Sequence, residues 1–129
     1  MKVYLAAARE RLADVRDLAA ILREAGHTLA STWHDEADAD LMRSDAALET
    51  PDAESIAATC LREIDAADAF VLLADAQHGR GCWVELGYAL SVTRAHATFV
   101  LGPQASAFAA LALHMASVPA LLDALEWLA

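Results

Sequence analysis

Asp68-Ala69-Phe70-Val71-Leu72-Leu73-Ala74, followed by Gly79-Arg80-Gly81-Cys82-Trp83-Val84-Glu85-Leu86-Gly87-Tyr88-Ala89-Leu90, is the stretch on which the fold turns. Its first half is an apolar run of strand length, too short for a helix of the same composition. Its second half opens on glycine and then takes a helical pattern. The order is therefore strand, glycine-bearing turn, helix. In open α/β sheets, ligands bind beyond the carboxyl ends of the strands, where turns of this kind lie. Glu85 is the one charge among Cys82, Trp83, Val84 and Leu86. It reads as an acid in the first turn of its helix. Two roles are open to it: a terminal charge stabilised by the helix dipole, or a reactive carboxylate held in a cleft.

The flanking sequence supplies the rest of an α/β domain. Lys2 to Ala6 is a short β-rich run and reads as the first, central strand. From Arg9 to Ala25, the residues Leu12, Val15, Leu18, Ala19 and Leu22 recur at three- and four-residue steps, which predicts a helix ended by Gly26. His27 to Trp33 predicts a second strand. Asp35 to Pro51 is acidic, weakly patterned and long for a connection. Asp52 is a candidate cap for a helix over 53–66 with Ile56, Cys60 and Ile64 on one face. The central helix is expected over about 81–94. Ala97 to Leu101 predicts a strand stopped by Gly102-Pro103. A short fifth strand is expected near Leu113, and a terminal helix over 119–128 with Pro119 in its first turn. Alternation of this kind predicts one domain over 1–129, of class α/β. Its form is a three-layer sandwich on a mostly parallel five-stranded sheet.

Composition bounds the function. The chain has 129 residues, 57% of them hydrophobic and 22% charged, and a net charge of -10. That is enough for a real core. It argues against a nucleic acid or an anionic membrane as partner, since both need clustered Lys and Arg. A small nucleotide stays possible, because one or two basic groups and a helix N-terminus hold a phosphate. Cys60 and Cys82 have neither disulfide-framework nor metal spacing, which fits a reducing cytoplasm. No secretory leader pattern precedes the first strand.

Motif chemistry narrows to carboxylates. His34-Asp35-Glu36-Ala37-Asp38-Ala39-Asp40 lacks the spacing and the sixth-position glycine of a calcium loop, so no metal is expected. Gly79-Arg80-Gly81 is a fragment of a dinucleotide fingerprint after the wrong strand. It reads better as a turn that lets a ligand approach the backbone. Cys82 at a helix start, with His78 nearby, reads as core or turn cysteine rather than as a nucleophile. Glu85 and Asp75 fall at the same end of the sheet, while Asp68 opens its strand at the far end and reads as structural. An ionised carboxylate at such a place is suited to attack a sugar's anomeric carbon.

Three segments resemble a known family. Met1-Lys2-Val3-Tyr4-Leu5-Ala6, Ala67-Asp68-Ala69-Phe70-Val71-Leu72 and Val84-Glu85-Leu86-Gly87-Tyr88-Ala89-Leu90 are similar to the nucleoside 2-deoxyribosyltransferase superfamily, which includes deoxynucleoside 5′-monophosphate N-glycosidases. Leu101-Gly102-Pro103 and Phe108 also fit. The resemblance implies a flavodoxin-like fold and cleavage or exchange of the N-glycosidic bond of a (deoxy)nucleoside or its 5′-monophosphate. It implies Glu85 as nucleophile, in a retaining reaction through a covalent glycosyl-enzyme, and Tyr4 as a support beside it. It further implies no metal or organic cofactor, and a homodimer or larger assembly. From position, Asp75, Gly79, Gly81, Trp33 and Arg9 are candidates to touch substrate: Trp33 by stacking on a base, Arg9 by holding a 5′-phosphate. Packing for Trp33 and a solvated helix charge for Arg9 are the bland alternatives. Three positions depart from the family: Cys60 and Gly79 stand where polar residues are expected, and Ala7 where glycine is. A non-catalytic nucleotide-binding module of the same fold is the alternative those departures leave open.

Overall fold

A computed structural model describes residues 1–35, 50–76, 78–92, 97–104 and 106–129. Among these, five strands form one sheet: β1 (Lys2–Ala7), β2 (Thr28–Leu29), β3 (Ala69–Leu73), β4 (Thr98–Leu101) and β5 (Leu113–Met115). Their order is β2-β1-β3-β4-β5 and every pairing is parallel. Four α-helices connect or follow them: α1 (Leu12–Glu24), α2 (Thr50–Asp65), α3 (Arg80–Val92) and α4 (Val118–Leu128). Short 3-10 segments stand at Arg9–Arg11 and Ala107–Leu111. The α/β architecture and the strand expected near Leu113 are therefore as the patterning indicates. The acidic stretch over 36–49 and the expected helix end at Arg94 lie outside the described residues.

Side-chain alternation assigns the two faces. Val3, Leu5, Ala69, Val71, Leu73, Phe99 and Leu101 pack with α1 and α4. Tyr4, Ala6, Phe70, Leu72, Ala74 and Val100 pack with α2, α3 and the second 3-10 segment. Period-two alternation forces this split, because successive strand residues point to opposite faces. β3 is buried along its whole length, as expected of a central parallel strand. The α1/α4 side is closed by Val15, Leu18, Leu22, Leu121 and Leu125, all at or near zero exposure. Each such side chain contributes roughly 1.5–3 kcal/mol. Tyr4 is thereby placed on the face that α2 and α3 cover, which decides what surrounds its hydroxyl.

Several boundaries differ from the patterning, for physical reasons. The ladder of β2 is short because side chains replace it. Ala30 N–H still donates to Val3 O at 2.7 Å. Beyond it, Leu5 N–H donates to Ser31 Oγ at 3.0 Å, and Trp33 Nε1–H donates to Leu5 O at 2.8 Å. The segment 30–33 runs beside β1 as expected, but it satisfies β1 without being a strand. α2 begins at Thr50, so Asp52 lies inside its first turn and is not its cap. α4 begins one residue before Pro119, capped by Ser117 Oγ, which accepts from Ala120 N–H at 3.2 Å. α3 begins at Arg80, which moves Glu85 out of the first turn and into the second. The dipole therefore favours its charge less than a first-turn position would, because that effect falls off within the first turn. Gly102, at φ 109°, closes β4 against β3: a Cβ there would stand 2.7 Å from Ala74 O. Only glycine lets those two strand ends meet.

Candidate active site

Three elements converge on the Tyr4 hydroxyl. β1 presents Tyr4 on the α2/α3 face, fully buried and stacked on Phe70 of β3, with ring centroids 5.6 Å apart and planes 6° from parallel. The stack follows from register, since Tyr4 and Phe70 are direct partners across β1 and β3. α3 brings Glu85, half-buried, and the Tyr4 hydroxyl donates to Glu85 Oε2. α2 brings Cys60, half-buried and packed against the same cluster. Burial first, and then the Glu85 charge, push the Tyr4 phenol far above its usual range. The same two causes, in the same order, raise the Cys60 thiol to about 11. Both groups therefore keep their protons at neutral pH, and Tyr4 serves Glu85 as a neutral donor.

The other candidates fall at the same edge of the sheet, each with its own contacts. Arg9, half-buried in the 3-10 segment after β1, is near enough to Cys60 for its charge to favour the thiolate. Its neighbour Arg11 is tied down: Nη1 donates to Ala74 O at 3.0 Å and Nε pairs with Asp14 at 3.1 Å. Asp75 follows β3 and accepts from His78 N–H at 3.2 Å, with His78 Nδ1 3.3 Å from the same oxygen. Gly79 has φ 100°, and a Cβ there would stand 2.5 Å from Cys82 Sγ and 3.2 Å from Ala8 Cβ. Its carbonyl accepts the Cys82 S–H at 2.9 Å. Cys82 is thus a buried turn cysteine, in keeping with the reading of its pattern. Gly81 is the second residue of α3 and half-buried. Trp33 is half-buried, packs against both halves of the core and has its indole N–H committed to Leu5 O, so it has no N–H left for a ligand. Asp68 is structural as expected: its Oδ2 accepts from Lys2 N–H at 2.8 Å, and its own N–H donates to Lys2 O at 2.7 Å.

Cys60, singled out from the resemblance as a departure but given no site role, packs against the Tyr4 cluster. Its signal was the helical face Ile56-Cys60-Ile64, because Ile64 is fully buried in the Tyr4 cluster and Cys60 lies one turn before it. Gly87 is exposed, and an added Cβ there meets nothing within 4 Å. Tyr88 braces α3 on α2, its hydroxyl donating to Asp65 Oδ1 at 2.7 Å. Among the described residues, no group of three His, Cys, Asp or Glu side chains is disposed to hold a metal.

Solved structures share this architecture. One is the 2-deoxyribosyltransferase of the psychrotolerant bacterium Bacillus psychrosaccharolyticus: TM-score 0.73, 16% identity, 95% of this chain and 91% of that one. Another is the CMP N-glycosidase BcmB of Clostridium botulinum: TM-score 0.60, 15% identity, 98% of this chain and 99% of that one. The chain has their fold. No family model and no curated protein matches it. Among the described residues, no helix is long and apolar enough to cross a membrane.

Proposed function

We propose that the chain is a nucleoside 2-deoxyribosyltransferase-like enzyme that cleaves or exchanges the N-glycosidic bond of a (deoxy)nucleoside or its 5′-monophosphate. The observation that carries this reading is the hydrogen bond from buried Tyr4 of β1 to Glu85 of α3, the helix that follows the carboxyl end of β3. Glu85 attacks the anomeric carbon, the C–N bond breaks, and its electron pair leaves with the base, which takes up a proton. A glycosyl ester on Glu85 results. Water or a second base then attacks the same carbon, the ester C–O bond breaks, and the carboxylate returns with net retention. Tyr4 is bonded to the carboxylate before attack and again as it departs. Its high pKa keeps it a donor throughout, since phenolate at that place would repel the carboxylate.

Arg9, beside Cys60, is the group for a 5′-phosphate, and Asp75 with the Gly79-Arg80-Gly81 turn the group for the sugar or base. Trp33 would serve as an apolar wall. The reaction needs no metal or organic cofactor, and the assembly is a homodimer or larger. The test is base release or exchange from a panel of deoxynucleosides, ribonucleosides and their 5′-monophosphates, with Glu85→Gln as control. Undiminished turnover in Glu85→Gln would remove Glu85 from the mechanism.

A second reading rests on one specific observation. A neutral thiol, Cys60, occupies the place beside Tyr4 and Glu85 where the family resemblance leads one to expect an acid. In that reading the site binds a nucleotide without turning it over. Calorimetry showing tight binding, with the nucleotide recovered intact after long incubation, would select it.

A further inference from the structure

Residues 31–35 stand where a longer β2 would, and side chains do there what a ladder would do. Leu5 of β1 gives its N–H to Ser31 Oγ at 3.0 Å and takes the Trp33 Nε1–H on its carbonyl at 2.8 Å. The rest of the segment is tied to helices. Thr32 N–H donates to Glu63 Oε2 of α2 at 3.1 Å, and the Thr32 hydroxyl donates to the other oxygen of that carboxylate. Arg16 of α1 donates from Nε to His34 O at 2.8 Å, and Arg23 of α1 pairs with Asp35 Oδ1 at 3.3 Å. Inside these ties His34 is fully buried. The Ser31 hydroxyl is buried too, and a buried hydroxyl proton needs an acceptor. Among the described residues that acceptor is His34 Nε2, at 2.8 Å. The imidazole is therefore neutral, with its lone pair on Nε2 and its proton on Nδ1. Nδ1 makes no hydrogen bond: Asp35 Oδ1 is 3.5 Å away and already holds Arg23.

A second proton has no good place in this arrangement. It must go on Nε2, which then donates to Ser31 Oγ. The serine proton loses its acceptor, and a cation with one unbonded N–H is left buried. Arg16 and Arg23 bring like charge from α1 against the single carboxylate of Asp35, while Glu63 of α2 is committed to Thr32. We propose that residues 31–35 form a proton-operated latch on the edge of β1: uptake of a proton by His34 releases the segment, which uncovers the Leu5 N–H and carbonyl to water and withdraws Trp33, while the sheet stays folded. The release is local because these residues are not laddered to β1. What they give up at the sheet edge is two side-chain bonds to one residue, and water takes both over. Trp33 packs on the Tyr4 side of the sheet as well as on the other. If Trp33 walls the substrate site, as proposed above, the latch makes that wall pH-dependent. That consequence rests on the glycosyl-transfer reading; the latch itself is a property of the free protein and is tested there.

Native-state amide hydrogen exchange reads the latch at Leu5, each rate being corrected for the intrinsic pH dependence of exchange. Burial holds the His34 pKa of the closed state below its ordinary value, so opening takes up one proton. The opening equilibrium therefore grows about tenfold for each pH unit below about 6.5. In wild type the Leu5 protection factor is expected to lie well below those of the β3 amides and to be unmoved by low urea that reduces theirs. It should fall about tenfold between pH 6.5 and 5.5. In His34→Gln, which accepts the Ser31 proton and does not titrate, it stays level over that range. His34→Leu gives the same result if glutamine leaves the chain unfolded. Glu63→Gln, Asp35→Asn and His27→Gln keep the slope. Leu5 protection equal to that of β3, with the same urea dependence, makes the opening global and overturns the proposal. So does a wild-type protection factor that stays level below pH 6.5. A slope that survives in His34→Gln, or that vanishes in one of the three other variants, gives the proton to another group and overturns it as well. Turnover is read separately. If Glu85→Gln is inactive and the Leu5 slope is absent, only the latch fails. If Glu85→Gln turns over normally, the glycosyl-transfer reading fails and the exchange data still decide the latch.

Discussion

The Tyr4 hydroxyl donates a hydrogen bond to Glu85, and that single bond sets what each residue can be worth. Tyr4→Phe keeps the ring stack on Phe70 and removes only the hydroxyl, so its effect belongs to the bond and not to packing. A hydrogen bond to a charged group contributes about 1.5–3 kcal/mol. If it is made as fully in the transition state as in the free enzyme, kcat/KM changes little. If it tightens as the carboxylate departs in the second step, kcat falls by about 10–100-fold, at one power of ten per 1.4 kcal/mol. The second outcome is expected, and steady-state base release from the best substrate of the panel measures it. Glu85→Gln removes the nucleophile itself and is expected to lower kcat by on the order of 10⁴-fold, with circular dichroism unchanged because Glu85 is only half-buried.

The elements that carry these residues make their own predictions, and both concern glycine. Gly87 lies within α3 with open space where its side chain would be, and it is exposed. Gly87→Ala should stabilise the protein by about 0.5–1 kcal/mol, from the lost flexibility of the unfolded chain and the better helix former. Gly79 is the opposite case. Its φ of 100° costs a side chain about 1–2 kcal/mol, and its Cβ would meet Cys82 Sγ at 2.5 Å. Gly79→Ala should therefore lower stability by at least that amount. Urea unfolding of both variants at pH 7.5 measures the two signs. The fold class was legible at this scale, since β1, β3 and β4 are apolar runs of strand length and α1 repeats Leu and Val at helical steps. The boundaries were not. Nothing in His27-Thr28-Leu29-Ala30-Ser31-Thr32-Trp33 tells that Ser31 and Trp33 will bond β1 through their side chains. Glu85 was conspicuous as a lone acid in an apolar helix start, but the residue pattern left its role open, and what the structure adds is its hydrogen bond from Tyr4. Cys60 was conspicuous only through the resemblance; its packing against the Tyr4 cluster depends on α2 lying over β1, and that proximity exists only once the chain is folded.

Across the whole molecule, the buried titratable groups confine stability to a pH window, and the sign differs on its two sides. On the acid side stands His34, fully buried in the turn after β2. Its Nε2 bonds Ser31 Oγ at 2.8 Å, while Nδ1 lies 3.5 Å from Asp35 Oδ1 and makes no hydrogen bond. Burial, ahead of the nearby Arg23 and Arg16 charges and against the pull of Asp35, lowers its pKa from the ordinary imidazole value. The unfolded chain therefore takes up a proton first as pH falls below about 6.5, and stability drops with it by up to about 1.4 kcal/mol per pH unit for this one group. His27 is lowered too, by burial and by the N-terminal amine 3.1 Å away, and steepens the same side. On the alkaline side Tyr4 and Cys60 are raised. The stability they carry is complete below their unfolded values, about 8.5 for a thiol and 10 for a phenol, and is lost above them as the unfolded chain ionises first. Unfolding free energy should therefore be flat between about pH 7 and 8 and fall on both sides. His34→Gln, judged by its slope between pH 7 and 5.5 rather than by its absolute stability, should remove part of the acid decline and leave the rest to His27. Tyr4→Phe should remove part of the decline above pH 10 and leave the acid side untouched. Equal slopes in wild type and His34→Gln would mean that the imidazole titrates freely in the folded state and that its burial carries no cost.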